Sequence, residues 1–125
     1  MGKNIQPEFQ NMEAYEAVKK SYLDKGYNIV ELDGNTILSK FDIFRIFYEK
    51  LKFPNYFGNN WDALFDCLKD LGWLENKNTV VLIKNLDDRE IFKILLHQLA
   101  GAKEIWKEYD REYGEKADIE AIKFK

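Results

Sequence analysis

Residues 79–83 read TVVLI, five apolar or β-branched side chains without a break. The run is too short for a buried helix and has no polar alternation, so it reads as a strand covered on both faces. Residues 27–32 (YNIVEL) form a second short strand, which Asp33-Gly34 ends as a turn pair. Residues 119–124 (IEAIKF) alternate and read as a final edge-type strand.

Helical patterns fill the spaces between these strands. Ser39 is placed to N-cap a helix carrying Phe41, Ile43, Phe44, Phe47, Tyr48 and Leu51, which must stop before Pro54. Residues 53–58 (FPNYFG) are then an aromatic loop. A third helix covers residues 60–71, with Gly72 as its stop. After the central strand, Asp87 or Asp88 caps a long helix with apolar positions from Ile91 to Tyr109; Gly101 is a weak point in it and Gly114 its end. Ahead of the sheet, Met12, Tyr15, Val18, Tyr22 and Leu23 mark a weak helix over residues 11–25, packed on the rim and stopped by Gly26. Residues 1–10 are polar and read as loose. Helical crossovers between all strands favour parallel pairing. The expected class is α/β: a small three-stranded parallel sheet covered by helices, with an extra N-terminal helix. The division is an N-terminal extension, 1–26, and a domain, 27–125.

Composition narrows the function. The chain has 125 residues, 46% of them hydrophobic and 15% aromatic, which suits one domain with a core of bulky rings. Nineteen bases against 22 acids leave a net charge of −3, which disfavours direct binding to nucleic acid or to an anionic membrane. A single cysteine and a single histidine leave no disulfide, no cysteine-rich zinc cluster and no multi-histidine metal site. No apolar leader or membrane-spanning run is present, so the expected location is the cytoplasm. The GxSxG, Walker A, HExxH and GxGxxG patterns are all missing, and no cofactor is implied. Cys67 falls among Leu64, Leu68 and Leu71 and reads as core, while His97 reads as solvated.

The chemically informative segment is FPNYFGNNWDALFDCLKDL, residues 53–71. On a helical wheel Leu64, Cys67, Leu68 and Leu71 gather on one side, and Asp62, Asp66 and Asp70 on the other. Asp62 has an ordinary explanation: with Asn59 as N-cap it is the third helical residue, where a carboxylate favours the dipole. Asp66 is harder to explain that way. Aspartate is a poor mid-helix residue, and like charges four apart cost roughly 0.2–0.5 kcal/mol. Lys69 offsets part of that cost. Tyr56 and Phe57 either cap the core or stand out as rings for a partner. Together, an aromatic loop and a carboxylate stripe make an interface for a cationic partner, in which carboxylates stand in for phosphates.

This segment resembles the barstar family of ribonuclease inhibitors. The resembling residues are Pro54, Tyr56, Phe57, Gly58, Asn60, Trp61, Asp62, Ala63, Leu64, Phe65 and Asp66, matched without a gap. The wider likeness runs from about Tyr27 to Phe124 and includes Glu31 to Gly34 and Ala117-Asp118-Ile119. The resemblance implies a three-stranded parallel sheet and a non-catalytic function: occlusion of a basic ribonuclease or related nuclease toxin in a one-to-one complex, by a protein that is monomeric when free. The implied partner-binding residues are Tyr56, Phe57, Asn60, Asp62, Phe65 and Asp66, with Glu108 as the best match to a late-helix acid. Two other readings stand beside it. One is an adaptor for a different basic partner. The other is a metal-dependent enzyme using Asp62 and Asp66 with Glu108 or Asp70, which lacks a phosphate-gripping loop.

Overall fold

The TVVLI run lies at the heart of the sheet. In the computed structural model, which describes residues 8–125, β3 (Thr79–Lys84) runs between β2 (Asn28–Asp33) and β4 (Ile119–Phe124). All pairings are parallel, with Val81 opposite both Val30 and Ala121. Residues 79–83 are all fully buried, as a strand covered on both faces requires.

The three predicted strands are accompanied by a fourth. β1 (Glu8–Gln10) pairs with β4 in parallel, giving the order β1-β4-β3-β2. The expectation that residues 1–10 are loose therefore fails at 8–10; residues 1–7 lie outside the described residues. β4, expected at an edge, lies inside the sheet. Lys125 N–H donates to the Gln10 carbonyl at 3.0 Å, and Met12 N–H to that of Lys125 at 3.1 Å. A three-residue strand is too short to show a period, and its pairing is a backbone matter that side chains do not announce.

Strand alternation divides the core between the two faces. Val30, Leu32, Val81 and Ile83 pack under α2 (Lys40–Lys50), α3 (Trp61–Asp70) and α4 (Glu90–Tyr113) with Phe44, Phe47, Leu64, Leu68, Leu95 and Leu99. Each such side chain contributes about 1.5–3 kcal/mol on burial. Val80, Leu82, Ile122 and Phe124 face the other way and meet Tyr15 of α1 (Tyr15–Asp24). α1 thus covers a sheet face rather than a rim. Its Tyr15 hydroxyl donates to Glu31 at 2.8 Å, and Lys19 Nζ lies 3.2 Å from the same carboxylate.

The helix ends follow local chemistry, with three revisions. Ser39 caps α2 as expected, in a capping box with Asp42. α4 begins after Arg89, not after an aspartate cap. Asp87 instead accepts from the Arg89 guanidinium at 3.0 Å, while that group also donates to the carbonyls of Ile37 at 2.7 Å and Gly34 at 2.9 Å. These bonds fasten the start of α4 to the turn after β2. At the end of α3, Leu71 rather than Gly72 takes the left-handed conformation, φ 53°, because its side chain must stay in the core. The third revision is at the start of α3, where the site lies.

Candidate functional site

α3 is capped by Asn60, whose Oδ1 accepts from Ala63 N–H at 2.7 Å and whose Nδ2 donates to the Gly58 carbonyl at 3.2 Å. Asn59, expected as the cap, takes φ 54° and turns the chain into the helix. Asp62 is therefore the second helical residue rather than the third. Its carboxylate is exposed in the first turn, without a hydrogen bond or ion pair among the described residues, where the helix dipole favours it.

Burial then sorts α3 as the wheel predicts. Leu64, Cys67 and Leu68 are buried; Asp62, Asp66 and Asp70 are exposed on the opposite flank. Asp66 has a side chain 75% exposed and an ion pair with Lys69, Nζ to Oδ1 3.5 Å. An exposed pair of this kind is worth about 0–1 kcal/mol and leaves the carboxylate open to a competitor. Asp70 accepts from Gly72 N–H at 3.1 Å and shapes the exit turn.

The loop before α3 separates its adjacent rings Tyr56 and Phe57. Tyr56 is 80% exposed. Phe57 is turned inward, 4.9 Å from the ring of Phe53 and 6.2 Å from those of Phe44 and Tyr48. Phe57, expected as a partner-facing ring, holds the loop on the core, while Tyr56 projects from it. Asn60 is likewise occupied by capping, with both ends of its amide engaged inside the chain.

Phe65 is half-buried and lies against α4 at Gly101, where an added β-carbon would stand 3.1 Å from the ring Cε1. The glycine read as a weak point in the helix is what lets α3 approach. Lower down, Trp106 Nε1 donates to the Leu68 carbonyl at 2.9 Å. An open groove of about 760 Å³ runs from Asp66 and Lys69 past Asp70 and Tyr109 to Lys116.

These features can be set beside known proteins. A family model described as Barstar (barnase inhibitor) matches residues 27–123. This chain belongs to the barstar family. A curated relative, "Putative ribonuclease inhibitor YrdF" of Bacillus subtilis (strain 168), is 48% identical over 44 residues, which is 35% of this chain and 45% of that protein. The chain thus spans less than half the length of that relative in the match.

Barstar-family membership points to inhibition rather than catalysis. The Cys67 thiol is pushed up to about 11 by burial, reinforced by the charges of Asp70 and Asp66, and stays protonated at neutral pH. His97 is exposed on α4. Among the described residues no three histidine, cysteine or carboxylate side chains gather to hold a metal ion. No described helix is long and apolar enough to cross a membrane.

Glu108, the late-helix acid, is exposed. It stands seven residues after Gly101, almost two turns and about 10.5 Å further along nearly the same side of α4. It therefore extends the flank on which Phe65 meets that helix. Two features escaped sequence reasoning: the position of Lys69 over the Phe65 ring, and the Trp106 bond. A glycine in mid-helix was the one signal of the close approach between α3 and α4.

Proposed function

We propose that this protein is the inhibitor of a basic ribonuclease or related nuclease toxin of its own cell, acting as a cytoplasmic antitoxin or immunity protein. The observation that carries the reading is the exposed flank of α3, where Asp62 and Asp66 face outward and the loop leading into the helix exposes the ring of Tyr56. A cleft that cleaves RNA must hold phosphates, and does so with arginine and lysine. Carboxylates four residues apart on a rigid helix offer those cations the same charge without a bond to cleave. Tyr56 adds apolar anchoring at the rim of the charged row. Phe65 and Glu108 extend the contact toward α4. The inhibitor occupies the cleft one-to-one and excludes RNA, and its acidic flank speeds encounter.

The test is capture on the immobilised protein from an extract of its own cells, with the eluate assayed for RNA cleavage; barnase serves as a defined second probe. The expected result is an eluted ribonuclease that one equivalent of the protein silences, with inhibition weakening as salt rises. An eluate without ribonuclease, together with barnase fully active in excess protein, overturns the reading.

A further inference from the structure

Lys69 is the one basic residue in α3, and its ammonium is held in place. It lies 3.5 Å from Asp66 Oδ1 and 4.9 Å above the centre of the Phe65 ring. Its side chain is 32% exposed, against 75% for Asp66. Phe65 in turn abuts Gly101 of α4. The ammonium of Lys69 therefore sits over a ring that is itself braced, and the cation is parked beside an outward carboxylate of the acidic flank. Asp62, one turn earlier, has no such neighbour among the described residues.

We propose that Lys69 is a specificity-determining residue: a built-in competitor for Asp66 that makes this face select partners presenting guanidinium groups over partners presenting ammonium groups. The inference rests on the reading of α3 as the partner-facing flank. An incoming ammonium offers Asp66 what Lys69 already supplies, a compact point charge, and it meets the repulsion of Lys69 as well. A guanidinium brings two parallel donors in a fixed fork and is more weakly hydrated, so it engages both carboxylate oxygens. The Lys69 contact is single and long, and it is made through Oδ1. Once displaced, Lys69 keeps the face of Phe65, so its release leaves no stranded charge. At Asp62 either kind of cation is accepted.

The test uses peptides in place of the partner. Hexa-arginine and hexa-lysine are titrated separately into the wild-type protein and into Lys69→Met, with the side-chain carboxyl carbons of Asp62 and Asp66 followed by NMR. Methionine keeps an unbranched stem over Phe65, and an unchanged amide spectrum elsewhere verifies the fold. In the wild type, hexa-arginine binds at Asp66 several-fold more tightly than hexa-lysine. In Lys69→Met that ratio collapses toward the ratio at Asp62, through a gain of roughly two- to fivefold in hexa-lysine affinity. Equal affinities at Asp66 in the wild type, a ratio unchanged by Lys69→Met, or no peptide response at Asp66 overturns the proposal. Ribonuclease inhibition with a failed peptide ratio sinks the specificity role alone. An intact ratio without a ribonuclease target sinks the inhibitor reading alone.

Discussion

The indole Nε1 of Trp106 donates to the Leu68 carbonyl at 2.9 Å, inside the protein, and this bond closes the C-terminal end of α3. That carbonyl is one of the last four of the helix and has no partner along it, because Gly72 N–H turns to the Asp70 side chain instead. Trp73 does the same for α2, donating to the Leu51 carbonyl at 2.8 Å. An indole from beyond each helix thus donates to a carbonyl at its C-terminal end.

Trp106→Phe leaves the Leu68 carbonyl dry and unpartnered. The expected loss is about 1–3 kcal/mol of stability, read as a lowered midpoint in urea unfolding. A midpoint equal to wild type contradicts this account of how α3 is anchored.

The loop rings and the stripe acid separate binding from stability. Phe57→Ala costs about 3–5 kcal/mol because the ring is core. Tyr56→Ala and Asp66→Ala leave the thermal midpoint near wild type, since both side chains are exposed. Loss of a charge-assisted bond at Asp66 lowers affinity for the ribonuclease partner roughly 10- to 100-fold. Calorimetric unfolding and binding isotherms on the same three variants check all of this.

Gly34 tests the sheet rather than the interface. A β-carbon there would stand 2.0 Å from the Asn85 carbonyl oxygen, so the turns after β2 and β3 cannot both keep their places. Its own N–H donates to Lys84 at 2.9 Å, and its carbonyl receives the Arg89 guanidinium. Gly34→Ala is expected to cost at least about 1–3 kcal/mol by overpacking, measured as a fall in melting temperature.

Acid should loosen α1. Burial alone would raise the Glu31 carboxyl, but the hydrogen bonds from Tyr15 and Lys19 outweigh it and hold the group below its ordinary value of 4.5. The unfolded chain lacks those bonds and keeps the ordinary value. The stabilisation is therefore complete above pH 4.5 and is lost as pH falls through the lower folded value. The melting temperature should drop across that acid range in the wild type and drop less in Glu31→Gln, with faster amide exchange in α1 as the local signature.

Much of this architecture was legible because it rests on side-chain periodicity. TVVLI, though without a period, was the best candidate for a strand covered twice, Ser39 could cap, and Leu64, Cys67, Leu68 and Leu71 share one side of a helix. The opposite row of Asp62, Asp66 and Asp70 follows from the same 3.6-residue period. Periodicity was silent on the three-residue β1, whose bonds are all backbone. It also placed the cap of α3 one residue early, because Asn59 and Asn60 carry the same side chain and only backbone geometry distinguishes them.

The order of residues by itself determined the helices, the three six-residue strands and the acidic flank, since each depends on neighbours a few positions apart. Tertiary packing alone decided that Phe57 points in while Tyr56 points out, that Phe65 rests on Gly101, and that Trp106 reaches the Leu68 carbonyl. Those outcomes depend on contacts between residues distant along the chain or on which of two adjacent side chains the core has room for, and no local pattern encodes either.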